Sequence, residues 1–178
     1  MTHQIISAGF GGQGVLLLGQ LLAYAGLQEG KNVSWLPSYG PEMRGGTANC
    51  CVVVSEEEVG SPVVTEADVV IVVNRPSFEK YEASVAPGGK LFVNSSLIDL
   101  KTDRADIETY YVPVNAIADE IGNGRVANMV MLGAVLEKTH IVSPDTALSC
   151  LRASFGERKA HLIPVNAEAL QKGAEAVR

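Results

Sequence analysis

The chain has 178 residues, of which 47% are apolar, so it can bury a core and is neither disordered nor collagen-like. This length suits one ordinary α/β domain. Fourteen basic against 20 acidic residues give a net charge of −6, and no basic stripe typical of nucleic-acid-binding proteins is present. The longest apolar stretch, residues 15–27, is shorter than the roughly 20 residues that cross a bilayer. No secretion signal is readable, so we expect a cytoplasmic protein.

The predicted elements alternate between strands and helices along most of the chain. The patterns predict strands at residues 4–8, 31–36, 47–55, 67–74, 90–94 and 107–112. They predict helices at residues 15–28, 76–85, 117–121, 126–139, 145–154 and 167–177, with Asn166 as the start signal of the last helix. This order indicates a single α/β domain over residues 1–178, with a doubly wound, mostly parallel sheet and helices on both faces.

The three cysteines lack the spacing of a metal site. Cys50 and Cys51 are adjacent and Cys150 is distant in sequence, whereas an iron–sulfur cluster normally needs about four thiolates. We interpret Cys50 and Cys51 as small apolar residues of a strand, on opposite faces of the sheet.

A glycine-rich turn follows the first strand and precedes the first helix. Its residues are Gly9, Phe10, Gly11, Gly12, Gln13 and Gly14. Glycines at this spacing let the backbone approach a ligand, while the free N–H groups of the first helical turn face an anion. A tight turn that binds nothing is the alternative.

The second strand lacks the acidic residue of a nicotinamide-binding Rossmann domain. That acid follows the glycine turn by about 20 residues and holds the ribose hydroxyl. The nearest acids here are Glu29, before the strand, and Glu42, after it. The pattern therefore disfavours a dehydrogenase and leaves open another phosphate-bearing ligand.

Two further features point to the edge of the sheet that carries the glycine turn. Residues 37–46 are rich in Gly and Pro and include Arg44, whose guanidinium suits a phosphate or a carboxylate, or could simply pair with Glu42. Asn94 stands at the end of a central strand, where it could line a cleft or cap the strand.

Several motifs together resemble the gamma subunit of 2-oxoacid:ferredoxin oxidoreductases. The first two are GFGGQGV at residues 9–15 and SYGPEMRGG at residues 38–46. The others are NRPS at 74–77, PGG at 87–89, NSS at 94–96 and NMVMLG at 128–133. The resemblance spans nearly the whole chain, and it is greatest to the 2-oxoglutarate enzyme. The 2-oxoisovalerate, pyruvate and indolepyruvate enzymes share the same domain.

The resemblance implies a subunit of a larger enzyme that converts a 2-oxoacid and coenzyme A into acyl-CoA and CO2 and reduces ferredoxin. It implies thiamine diphosphate, Mg2+ and [4Fe-4S] clusters on partner chains, namely alpha, beta and a ferredoxin-like delta subunit. It also implies that this chain caps the active site and helps to bind coenzyme A, through the turn from Gly9 to Gly14 and through Arg44. It supplies no catalytic acid, base or nucleophile and no metal ligand. A stand-alone nucleotide-binding oxidoreductase and a purely structural scaffold are the competing hypotheses.

Overall fold

Six strands and six α-helices form the part of the chain that the computed structural model describes, residues 1–38 and 47–178. The strands are β1 (Thr2–Phe10), β2 (Asn32–Ser38), β3 (Thr47–Ser55), β4 (Ala67–Val72), β5 (Val85–Asn94) and β6 (Glu108–Val112). The helices are α1 (Val15–Gln28), α2 (Arg75–Tyr81), α3 (Val114–Ile121), α4 (Ala127–Thr139), α5 (Pro144–Phe155) and α6 (Ile163–Glu175).

All six strands belong to one sheet, in the order β2-β3-β1-β4-β5-β6. β1, β4, β5 and β6 are parallel to one another, whereas β3 is antiparallel to both of its neighbours. Because β2 is antiparallel to β3, it points the same way as β1. The sheet is therefore mostly parallel, as predicted, and the carboxyl ends of five strands meet at one edge.

The helices cover both faces of the sheet, which confirms the predicted layers. α1 and α4 pack on one face, against Ile5, Ile71 and Phe92. α2 packs on the other face, where Phe78 meets Val70 and Val93. The chain thus leaves β1 toward one face and β4 toward the other. In open α/β sheets such a switch between adjacent parallel strands opens a crevice at their carboxyl ends.

Small residues let α1 approach the sheet closely. A Cβ atom added to Gly26 would lie 2.9 Å from the side chains of Val33 and Val54, and one added to Gly19 would collide with the Cys50 Sγ. Apolar residues surround most of α1 because neighbouring elements bury most of its circumference. In the described part of the chain, no helix has both the length and the apolar character needed to cross a membrane.

Strand β1 runs two residues further than the sequence pattern predicted. Gly9 pairs with Ala48 and Phe10 pairs with Thr47, so the returning strand β3 holds both residues in the sheet. The prediction that the turn begins at Gly9 was wrong, because this pairing extends the strand. The turn begins at Gly11.

The starts of β5 and α6 also differ from the prediction. β5 begins at Val85 instead of residue 90, and α6 begins at Ile163 instead of residue 167. The segment Pro87-Gly88-Gly89 is a bulge inside β5. The Gly88 N–H donates to the main-chain carbonyl oxygen of Asp106 at 2.7 Å, and the register of the pairing with β4 shifts at this segment. Asn166 does not start α6. It is buried inside the helix and donates to the Leu162 oxygen at 2.7 Å.

The adjacent cysteines lie on opposite faces of β3, as predicted. Cys50 is buried among the residues under α1, and Cys51 packs against the opposite core. Burial raises the pKa of the Cys50 thiol to about 12, so it stays protonated in the core. This environment fits a small apolar residue.

Helices α4 and α6 touch through their backbones. A Cβ atom at Gly133 would collide with the carbonyl oxygen of Leu170, and one at Gly173 would collide with the carbonyl oxygen of Val130. Backbone atoms cannot rotate away as side chains do. Glycine at both positions is therefore what permits this helix pair.

We expect Gly173→Ala to lower the free energy of unfolding by about 3 kcal/mol, because the added methyl forces the two helices apart. Urea denaturation of the full chain measures the change. Gly60→Ala is the control, since a Cβ there meets no atom within 4 Å. Equal stability of the two variants would contradict backbone contact between α4 and α6.

Candidate functional site

A cleft of about 400 Å³ opens at the carboxyl edge of the sheet, beside the glycine turn. The first turns of α1, α3 and α4 surround it, and Val73 contributes from the end of β4. Its polar part comprises Gly12, Gln13, Gly14, Asn115, Arg125 and Asn128. Its apolar part includes Val15, Leu17, Leu18, Val73, Val114 and Met131. The cleft thus joins segments that are about a hundred residues apart in sequence.

Two left-handed glycines shape the turn. Gly12 has φ +89° and Gly14 has φ +76°, a conformation that other residues adopt at a cost. Gln13 closes the turn twice: its N–H donates to the Phe10 oxygen at 3.2 Å, and its Oε1 accepts from the Phe10 N–H at 2.6 Å. A Cβ atom at Gly12 would stand in open space, so the backbone there is open to a ligand.

The start of α1 presents main-chain donors to the cleft. Gly14 is the N-cap and supplies no side-chain cap, and the Leu18 N–H donates to the Gly14 oxygen at 3.0 Å. The N–H groups that precede Leu18 in the helix have no acceptor inside it. With the helix dipole behind them, they favour an anion.

The opposite wall is the start of α4 and the segment before it. Asn128 approaches Gly14 closely, with its Nδ2 3.4 Å from the Gly14 oxygen. A Cβ atom at Gly14 would lie 2.5 Å from that same nitrogen, so the two walls meet only because residue 14 is a glycine. Asn128 belongs to one of the motifs found in the sequence, but that motif did not indicate its contact with the turn.

Arg125 also lines this wall, and sequence reasoning missed it. It lies in a short 3-10 helix, Gly124–Val126, and its backbone N–H donates to the Asn123 Oδ1 at 3.0 Å. Nothing local in the sequence distinguishes this arginine from other surface arginines. Only the contact of α4 with the glycine turn brings it to the cleft.

Asn94 supports the cleft from behind. It is fully buried at the end of β5, and its Nδ2 donates to the Val73 oxygen at 3.2 Å and to the Asn115 Oδ1 at 2.7 Å. Its Oδ1 accepts from the Ser96 N–H at 3.1 Å. These bonds fix Val73 and Asn115, which line the cleft. Direct contact of Asn94 with a cofactor stays a prediction.

The other predicted site residues fall in three places. Gly12, Gln13 and Gly14 line the cleft, whereas Gly9 and Phe10 lie in β1 and Gly11 begins the turn without lining the cleft. A Cβ atom at Gly9 would lie 2.7 Å from the Gln13 Oε1, so Gly9 lets the turn fold back over the strand. Arg44 lies in residues 39–46, outside the described residues.

The two residues that flank positions 39–46 lie at the same sheet edge as the turn. Ser38 pairs with Asn49, which pairs with Ala8 in β1. Thr47 pairs with Phe10. The second strand therefore ends at the edge of the glycine turn, as expected. The predicted boundary at residue 36 was wrong, because Pro37 and Ser38 pair with β3 and extend the strand to Ser38.

The residues that line the cleft are suited to binding a ligand. Among the described residues that line it there is no carboxylate, histidine or cysteine, and Arg125 is the single charged side chain. No group of three or more His, Cys, Asp and Glu residues within positions 1–38 and 47–178 could hold a metal ion. Amide donors, two asparagines and one guanidinium over an apolar floor suit an anionic ligand with an apolar part.

Residues 4–176 match the family described as pyruvate ferredoxin/flavodoxin oxidoreductase. Ketoisovalerate oxidoreductase subunit VorA of Methanothermobacter marburgensis is 39% identical over 96% of this chain and 36% of that protein. 2-Oxoglutarate synthase subunit KorC of Methanocaldococcus jannaschii is 37% identical over 82% of this chain and 80% of that protein. The chain thus spans little more than a third of VorA but most of KorC.

Two solved structures resemble the whole chain. The gamma subunit of keto/oxoacid ferredoxin oxidoreductase from Geobacter sulfurreducens has a TM-score of 0.81 and 30% identity, over 98% of both chains. 2-Oxoglutarate:ferredoxin oxidoreductase from Magnetococcus marinus has a TM-score of 0.90 and 27% identity, over 99% of this chain and 31% of that one. The latter was solved with 2-oxoglutarate, coenzyme A and succinyl-CoA bound.

We expect Asn94→Ala to lower the free energy of unfolding by about 2–3 kcal/mol, because it leaves buried hydrogen-bonding groups without partners. Asn115→Ala removes one of these bonds and costs about 1 kcal/mol. Urea denaturation measures both, with the exposed Asn32→Ala as the control. An Asn94→Ala chain as stable as the control would refute the supporting role.

Proposed function

The chain belongs to the pyruvate ferredoxin/flavodoxin oxidoreductase family, and from this premise we propose that it is the gamma subunit of a 2-oxoacid:ferredoxin oxidoreductase. The complete enzyme converts a 2-oxoacid and coenzyme A into acyl-CoA and CO2, and passes two electrons to ferredoxin. This chain caps the active site and binds part of coenzyme A. Similarity to gamma-type chains over its whole length supports the proposal.

Coenzyme A fits the cleft in chemistry. It carries a diphosphate and a 3′-phosphate, which need N–H donors and a cation. Its uncharged pantetheine arm can lie against an apolar surface. The turn at Gly12 to Gly14 offers the donors, and the described lining holds no acid that would repel the phosphates. This combination is the observation that carries the proposal. Coenzyme A in the similar Magnetococcus marinus structure supports it.

2-Oxoglutarate is the substrate that we propose. The similarity to KorC, which covers most of both chains, favours it. The similarity to VorA favours 2-oxoisovalerate as the alternative, although this chain spans only 36% of that protein. Contacts that distinguish the two 2-oxoacids belong to partner subunits in this proposal.

Partner chains supply the redox chemistry. We place thiamine diphosphate with Mg2+ and the [4Fe-4S] clusters on alpha, beta and ferredoxin-like delta subunits, as the resemblance to this family implies. The three cysteines of this chain, fewer than the four thiolates of a cluster, agree with that placement of the clusters. These groups provide decarboxylation and electron transfer when bound. The residues of this chain bind and orient coenzyme A and exclude water from one side of the site. A cytoplasmic location stays a prediction.

We expect Gly12→Ala in the assembled complex to raise the KM for coenzyme A about tenfold, because the methyl group would occupy open space beside backbone that lines the cleft. The rate of 2-oxoglutarate-dependent viologen reduction, measured against coenzyme A concentration, gives the KM.

Gly30→Ala is the matched control. Gly30 has φ +83° and also meets nothing within 4 Å, but it lies beyond the other end of α1. Both variants bear the same backbone strain, so only a ligand contact can separate them. Equal KM values for the two variants would show that coenzyme A does not bind in the cleft.

Arg44→Ala tests the second predicted binding element. A charge-assisted hydrogen bond is worth about 1.5–3 kcal/mol, so its loss should raise the KM for coenzyme A by roughly 10- to 100-fold. The same viologen assay measures it, with Arg152→Ala on the exposed side of α5 as the control. An unchanged KM would exclude Arg44 from the site.

A further inference from the structure

Arg125 is a charged residue of the cleft wall that no feature of the sequence assigned to binding. Its backbone is fixed on both sides, by the N–H bond to Asn123 and by the buried Val126 that precedes α4. Its side chain is exposed and lines the cleft opposite the glycine turn. An anchored backbone with a solvent-facing guanidinium suits a residue that meets a ligand rather than one that stabilises the fold.

The guanidinium of Arg125 forms no ion pair with another described residue. Carboxylates hold Arg75, Arg104 and Arg178 in ion pairs, whereas none of the ion pairs within residues 1–38 and 47–178 involves Arg125, Arg152 or Arg158. Of these three unpaired arginines, Arg125 is the one that lines the cleft. The chain has a net charge of −6, whereas the described lining of this cleft carries one cation and no acid. The local charge favours an anion.

We propose that Arg125 is the residue by which this cleft recognises a phosphate group of its ligand. The inference rests on the proposed binding of coenzyme A and adds the specificity of that site. Main-chain N–H groups of the turn face the ligand from one wall, and the guanidinium faces it from the other. The apolar floor between them holds a part of the ligand that carries no charge. Arg125 therefore separates phosphate-bearing carriers from those that lack phosphate.

The test compares three ligands in the assembled complex: coenzyme A and pantetheine as alternative acyl acceptors, and adenosine 3′,5′-bisphosphate as a competitive inhibitor. Arg125→Gln should raise the KM for coenzyme A and the inhibition constant of the bisphosphate by about 10- to 100-fold. The KM for pantetheine, which has the same thiol but no phosphate, should stay within twofold. Arg125→Lys should recover part of the loss, because it keeps the charge without the planar fork.

Arg158→Gln is the matched control. It removes the same charge from an exposed arginine in another 3-10 helix, outside the cleft lining. Complex assembly and the unfolding midpoint of each variant are measured first. An unchanged KM for coenzyme A in Arg125→Gln would overturn the inference. An equal rise for pantetheine would also overturn it, because the effect would then come from the shape of the cleft.

Coenzyme A binding in the cleft and phosphate recognition by Arg125 can be disproved separately. If Gly12→Ala raises the KM for coenzyme A and Arg125→Gln does not, phosphate recognition by Arg125 is wrong and the proposed function stands. If neither variant changes the KM, coenzyme A does not use this cleft and both are wrong.

Discussion

The contact between Gly14 and Asn128 is the constraint on which the cleft depends. It brings the first turn of α1 against the first turn of α4, and a Cβ atom at residue 14 would overlap the Asn128 side chain. The same glycine adopts the left-handed conformation that starts α1. Gly14 thus both leaves room for the Asn128 side chain and adopts the backbone conformation that starts α1. Without it the donors of the turn and the guanidinium of Arg125 would not share a cleft.

The sheet provides the second condition, because it brings the ends of its parallel strands to one edge. β1 leads into the glycine turn, β4 ends beside Val73, and β5 ends at Asn94. The buried amide of Asn94 then links the ends of two strands to Asn115 on α3. The cleft is consequently built on rigid elements, which is where precise binding geometry is held.

Much of the fold could be predicted from local patterns, and the differences arise from distant partners. The bounds of α1 and β3 agree with the prediction because apolar periodicity and the adjacent turns define them. The extension of β1 depends on pairing with β3, and the bulge at Gly88 depends on a bond to Asp106. Asn166 has the side chain of a helix start but bonds back to Leu162 instead. Local sequence carries none of this information.

The candidate site likewise has a part that the sequence predicts and a part that depends on tertiary contacts. The glycine turn could be found because its residues are contiguous and their conformational needs are specific. Arg125 could not, because it reaches the cleft through tertiary contacts made more than a hundred residues after the turn. Asn94 was predicted at the correct edge, but only the structure shows that it is buried and committed to other groups.

The glycine contact between α4 and α6 also limits how the cleft can move. Sliding one helix along the other by a single residue would press a side chain into a carbonyl oxygen, at Gly133 on one helix or at Gly173 on the other. The pair is therefore locked in register and has to shift as one piece. A shift of α4, whose first turn forms one wall of the cleft, would therefore carry α6 with it.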